Sequence, residues 1–204
     1  SEPSRTRCAA HPGGGGAGAT PVLLTAPEPR GGNLLANGGF EASSGGVLGR
    51  LGERASLAGW QVLFSGARQA YVWSESDYSI HPDWGLPEIH EGKQALRTHA
   101  DAEGHTMIFQ DAEVLPGREY RASVWVRACD LRGKGFGVHP GDMAALRLQE
   151  IGPCGKVLVE HPPVAVAAAG PYRQIEKRLT TGDKTALVRF LLDTVIAAPY
   201  NEGH

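Results

Sequence analysis

The stretch from Tyr71 to His90 is the densest local supply of rings and acids in the chain. It holds Tyr71, Trp73, Glu75, Asp77, Tyr78, His81, Asp83, Trp84 and Glu88. Flat aromatic rings stack on the apolar C–H faces of a pyranose, and planar polar side chains grip its hydroxyls, so this mixture suits a polyol. Trp73 either faces a ligand or packs inside by alternation with Tyr71. Trp84 lies between Pro82 and Pro87, where strand packing buries a ring less automatically. Another indole, Trp125, is interleaved with arginines. In the run Glu119–Ala128, Tyr120, Ala122, Val124 and Val126 fall on one side, and Arg121, Ser123, Trp125 and Arg127 on the other. That second side either lines a wet groove that stacks a flat ligand or carries a surface ring covered by a loop. The candidate ligand contacts are therefore Trp73, Tyr78, Trp84, Arg121, Trp125 and Arg127.

Other chemistries fit the residues less well. Glycoside hydrolysis needs two carboxyl groups across a bond. Glu75, Asp77, Asp83 and Glu88 supply acids, but nothing in the sequence fixes one as acid and another as base. His81, His90, His99 and His105 fall close together without His-x-His or His-x-x-x-His spacing, so metal ligation by histidine is set aside. No nucleophile elbow, phosphate-cradling glycine loop or Cys-x-x-Cys occurs, and Gly13–Gly16 has no lysine or helix start behind it. The loop from Asp130 to Asp142 is longer than a hairpin needs and is a second candidate region. Its Arg132 and Lys134 would favour an acidic sugar.

These residues must be positioned by strands. Short β-branched, aromatic or alternating runs recur at Trp60–Phe64, Ala70–Trp73, Gln94–Thr98, Thr106–Gln110, Glu119–Ala128, Met143–Ile151, Lys156–Glu160, Arg173–Leu179 and Ala186–Ile196. Pro116-Gly117, Gly152-Pro153, Gly170-Pro171 and Gly182-Asp183 punctuate them as turns. No segment has a helical period. Val164–Ala169 is Ala-rich, but Pro162, Pro163 and Pro171 bracket it. This pattern predicts an all-β sandwich or barrel. Residues 1–32 are rich in Gly and Pro and read as a flexible leader or linker, although Val22–Leu24 could dock as an edge strand. Residues 33–204 read as one domain.

The whole chain has 204 residues and a formal net charge of -2, with no basic run, so nucleic acid is not an expected partner. No apolar stretch approaches the ~20 residues of a membrane helix. The 28 glycines and 14 prolines fit many short strands joined by turns. The three cysteines are Cys8, Cys129 and Cys154. Cys129 and Cys154 are expected at opposite ends of consecutive antiparallel strands, beyond the ~7 Å Cα separation that a disulfide allows. Unpaired cysteines are the expectation.

Three pieces, in order, resemble the jelly-roll carbohydrate-binding modules of the family 4, 16 and 22 type, which share a galactose-binding-domain-like sandwich. They are Asn33-Leu34-Leu35-Ala36-Asn37-Gly38-Gly39-Phe40-Glu41 with Gly59-Trp60; Glu91-Gly92-Lys93-Gln94-Ala95-Leu96; and Ile108-Phe109-Gln110 through Val114-Leu115-Pro116-Gly117-Arg118-Glu119-Tyr120 to Ala128. The resemblance spans Asn33 to about Ile196. It implies a jelly-roll β-sandwich of two antiparallel sheets, one concave, with Trp60 in the core. It also implies a structural calcium, held by the carbonyls of Gly39 and Gln94 and the carboxylates of Glu41 and Glu91. Calcium takes ~6–8 oxygens and accepts carbonyls beside carboxylates. The family's final strand usually adds an aspartate, and the sequence reaches Asn201-Glu202-Gly203-His204 about where that strand would begin.

The expected function is non-catalytic binding of a polysaccharide or oligosaccharide by a monomeric module of a larger secreted or extracellular, or periplasmic, protein. A docking sandwich that binds another protein and a jelly-roll lyase or hydrolase are the alternatives.

Overall fold

The computed structural model describes residues 32–42, 46–49, 57–74, 89–128, 141–168 and 170–197. The expected leader, apart from Gly32, and its Val22–Leu24 strand lie outside them. The described residues contain nine strands and no helix. These are β1 (Gly46–Gly49), β2 (Gln61–Ser74), β3 (Gln94–Glu113), β4 (Glu119–Val126), β5 (Met143–Ile151), β6 (Val157–Glu160), β7 (Val164–Val166), β8 (Arg173–Thr180) and β9 (Leu187–Ile196).

Seven strands form one sheet in the order β1-β2-β3-β9-β5-β6, with β7 also pairing to β5. The other two, β4 and β8, pair with each other in a second sheet. Every pairing is antiparallel. The expected β-sandwich is therefore the architecture observed, with one broad layer and one narrow layer.

Two pairs of expected strands are continuous. Trp60–Phe64 and Ala70–Trp73 fall in β2 apart from Trp60 itself, and Gln94–Thr98 and Thr106–Gln110 fall in β3. The residues 99–103 between the β3 segments are poor strand formers. They are nonetheless carried in β3, which pairs with β2 on both sides of an irregularity between Gly66 and Arg68. The segment 164–166 is a short strand rather than a connection.

The core lies between the layers. Ile108 of β3, Leu146 and Leu148 of β5, and Val188 and Phe190 of β9 meet Ile175 and Leu179 of β8. Tyr120, Ala122, Val124 and Val126 of β4 pack against this cluster, as their alternation requires. Trp60 is also in the core, with Phe40 at 5.2 Å and Phe190 edge-on at 5.9 Å. Each large apolar side chain buried here contributes on the order of 1.5–3 kcal/mol.

The motif residues have visible structural roles. Trp60 Nε1 donates to the Asn37 carbonyl at 3.1 Å, and Asn37 Oδ1 accepts from Ala42 N at 2.9 Å. Asn37 sits at φ 50 and Phe40 at φ 62, so this turn uses the left-handed region twice. Buried Gln110 accepts from Ala36 N at 2.6 Å and donates to the carbonyls of Ala36, at 3.0 Å, and Gly59. In the Leu-Pro-Gly-x-x-Tyr entry, Leu115 N donates to the Tyr120 hydroxyl at 2.8 Å, and Gly117 supplies the φ of +66 that the turn needs.

One expectation is corrected. Cys154 is disulfide-bonded. Its partner must be Cys8 or Cys129, both outside the described residues. Strand direction excluded a pair only on the assumption that β4 and β5 are neighbours. They lie in different sheets, so the assumption does not apply.

Candidate functional site

The two sheets present two outward faces. The face expected from the alternation of β4 is that of the small sheet. Register sets Arg121 opposite Arg178, Ser123 opposite Glu176 and Trp125 opposite Gln174. Arg121 and Trp125 are exposed, and Arg127 is partly buried. The indole of Trp125 stacks on the imidazole of His90, with centroids 4.1 Å apart and planes 19° apart. Tyr172 meets His90 edge-on at 5.2 Å. His90 and Tyr172 were not among the expected contacts, and no local signal marks them, since 35 residues separate His90 from Trp125. Trp73 is placed by its backbone alone, paired with Ala95 on β3. Tyr78, Trp84 and the loop 130–140 lie outside the described residues.

The outward face of the large sheet holds a second constellation, which sequence reasoning missed. On β3 the residues alternating with the core positions are His105, Met107, Phe109 and Asp111; on β9 they are Arg189, Leu191, Asp193 and Val195. The ladders set Met107 opposite Asp193, Phe109 opposite Leu191 and Asp111 opposite Arg189. On the far side of β9, Asp193 faces Ala145, and Leu191 faces Arg147 of β5.

The Asp193 side chain is fully buried and contacts two cationic or basic groups: Nε2 of His105, and Nε of Arg147 at 2.7 Å. Arg147 also reaches Glu160 at 3.4 Å. Arg189 forms a two-pronged pair with Asp111, at 2.7 and 2.8 Å, and its guanidinium lies 4.5 Å from the centre of the Phe109 ring. The hydrogen bonds to Asp111 hold the Arg189 guanidinium above its ordinary pKa. Phe109 and Leu191 are themselves buried, and Leu63 of β2, 51 % exposed, is the open apolar side chain beside them. The signal that could have found the site is polar residues at outward positions of the sheet's two most central strands. Single charges there look solvated until pairing is known.

The residues expected to hold calcium come together in part. Glu41 folds over the turn before β3, where its Oε1 accepts from Lys93 N at 2.9 Å and Gln94 N at 3.1 Å. Gly92 has φ +78, and a Cβ there would collide with the Glu41 carboxylate. The motif glycine thus lets Glu41 dock onto the backbone of Lys93 and Gln94. One carboxylate oxygen is committed to two N–H donors, so the metal would draw on the other. Among the described residues no group of three His, Cys, Asp or Glu side chains is arranged to hold a metal, so carbonyl donors would have to complete the shell.

No protein-family model matches the chain, and no curated protein does. Solved structures do. A family 61 carbohydrate-binding module, TmCBM61, solved with β-1,4-galactotriose, is 21% identical with a TM-score of 0.51; the match covers 82% of this chain and 90% of that one. A second family 16 carbohydrate-binding module is 15% identical with a TM-score of 0.50, covering 82% and 92%. The enzymatically active domain of tailspike protein 4 from bacteriophage CBA120 is 9% identical with a TM-score of 0.55 over 81% of this chain, which corresponds to only 20% of the tailspike chain. At these identities the likeness is one of fold. The chain has the β-sandwich fold of carbohydrate-binding modules.

Proposed function

We propose that the chain is a non-catalytic glycan-binding module that holds a neutral or weakly charged polysaccharide on the outward face of its large sheet. The observation that carries this reading is the cross-strand network of Arg189–Asp111 and His105–Asp193–Arg147, laid around Phe109 and beside Leu63. Taking charges out of water costs about as much as their pairing returns, so a buried ion network is weak evidence of a stabilising role. Fixed planar donors and acceptors beside an exposed apolar side chain, here Leu63, are, however, what sugar recognition needs. The arginines keep donors to spare for hydroxyl oxygens, because a guanidinium has five N–H groups.

The same geometry disfavours catalysis there. Asp111, Asp193 and Glu160, carboxylates of this face, are each paired with an arginine, which disfavours their acting as acid or base. The carbohydrate-binding relatives of this fold, and the glycan in the TmCBM61 structure, support a carbohydrate partner. An oxidised Cys154 supports a secreted or extracellular setting, since disulfides persist in oxidising compartments. A calcium held by Glu41, Glu91 and the carbonyls of Gly39 and Gln94 would staple the N-terminal turn to the start of β3. We take the module to act as a monomer.

Affinity electrophoresis and calorimetry against a panel of soluble β-glycans, β-1,4-galactan among them, test the reading. Binding of at least one glycan is expected, weakened roughly tenfold or more in Arg189→Ala through loss of one or two good hydrogen bonds. Unchanged binding in that variant would move the site off this face. Release of reducing ends by the isolated chain would establish an enzyme instead.

A further inference from the structure

The small sheet's outward face carries groups that the large-sheet groove does not use. Trp125 is 45% exposed although its indole is stacked on His90. His90 comes from the turn before β3, Trp125 from β4 and Tyr172 from the approach to β8, so three separate segments converge on one exposed ring. Close to half of Trp125 stays in water, so its burial stabilises the fold less than that of a core ring would. Its plane is nonetheless fixed by the stacked imidazole, itself met edge-on by Tyr172. A ligand stacking on that indole would find its orientation already set.

Polar groups lie within reach of the ring. Register places Gln174 directly opposite Trp125, and Ser123 two residues along the same strand. Further along, Arg121 reaches Glu176 at 3.7 Å, and Arg178 reaches Glu176 at 3.2 Å and Glu119 at 3.6 Å. Two arginines are balanced by two glutamates, so this end of the face has no net charge with which to select an anionic ligand. Such exposed pairs contribute little to stability, ~0–1 kcal/mol each.

We propose that this face is a second sugar site, in which the Trp125 indole takes the apolar face of a neutral pyranose while Gln174 and Ser123 bond its hydroxyls. His90 and Tyr172 are positioning residues that fix the indole. The inference rests on the glycan-binding reading but not on the large-sheet groove. The core separates the two sheets, so the sites lie on opposite sides of the sandwich. One module would then bridge two polysaccharide strands, gaining avidity from two weak contacts.

The intact chain, Trp125→Ala, Gln174→Ala and Arg189→Ala are applied to one glycan array, and the best-bound neutral oligosaccharide is titrated by calorimetry. The expected stoichiometry is two oligosaccharides per protein. Trp125→Ala should remove one site while the chain still unfolds cooperatively, with the melting temperature lowered only by the loss of the stacking contact with His90. Gln174→Ala should weaken that same site. His90→Ala, which keeps the indole but frees it, should weaken it roughly three- to tenfold. Binding should persist at high salt, and the intact chain should cross-link a soluble polysaccharide where Trp125→Ala does not. Loss of all binding in Arg189→Ala with no effect of Trp125→Ala overturns this proposal and leaves the large-sheet reading standing. Loss of all binding in Trp125→Ala with no effect of Arg189→Ala does the reverse to the large-sheet groove, and its single stoichiometry also removes the bridging. A blank array overturns both.

Discussion

Glu150 sits on β5, almost wholly buried, yet it keeps its charge. Burial by itself would raise its carboxyl pKa. Hydrogen bonds from Gly182 N at 2.8 Å, from the Thr185 hydroxyl and with His161 outweigh that and hold it below the ordinary 4.5. A carboxyl whose folded value is depressed stabilises the protein fully above its unfolded value and loses that contribution as pH falls through the folded value. Glu150→Gln should therefore cost about 1–2 kcal/mol at neutral pH and flatten the fall of stability on the acid side of roughly pH 5. Urea unfolding across pH checks this. A uniform loss at every pH would show that the charge does not matter and only the shape does.

At the scale of elements, the long β2–β3 ribbon and the N-terminal turn depend on each other through Gln110. Its side chain joins Ala36 and Gly59 and so fixes the entry of the chain into β2. Gln110→Ala should destabilise by about 1–2 kcal/mol, because three part-buried hydrogen bonds to Ala36 and Gly59 are lost. Denaturant unfolding measures the loss, and amide exchange should speed up first in residues 33–40. Elsewhere β6 and β7 share one side of β5, and Pro162-Pro163 stands between them. Proline cannot donate to a ladder, so this edge resists adding a strand from another copy even though Val157, Leu158 and Val159 are exposed.

For the whole molecule, the proposed calcium is a matter of linkage. A ligand bound only by the folded state at a hundred times its Kd adds about 2.7 kcal/mol, which for a domain of this size is roughly 5–10 °C in Tm. Chelator should lower Tm by about that amount, and Glu41→Ala should melt low with or without chelator. If chelator leaves the intact chain unmoved, Glu41 acts only as the cap over Lys93 and Gln94. Much of this architecture was legible beforehand: the alternation of β4 and the turns at Pro116-Gly117 and Gly152-Pro153 follow from local chemistry, and Trp60 in the core followed from the resemblance to carbohydrate-binding modules. The continuity of β2 and β3 was not, because His99 and Ala100 are strand by pairing with β2 rather than by preference, and residues 101–103 lie at the irregularity between Gly66 and Arg68. The oxidised state of Cys154 was not either, because it depends on which sheet each strand joins.

Trp125 shows where the division falls. The sequence by itself determined that this indole points outward, because a side chain's side of a strand follows from a period of two that needs no partner. Only the tertiary structure decided that His90 stacks on it, and that Asp193 meets both His105 and Arg147 across three strands. Those meetings depend on strand order and register, which are set by the packing of the two layers and are not written in any one segment.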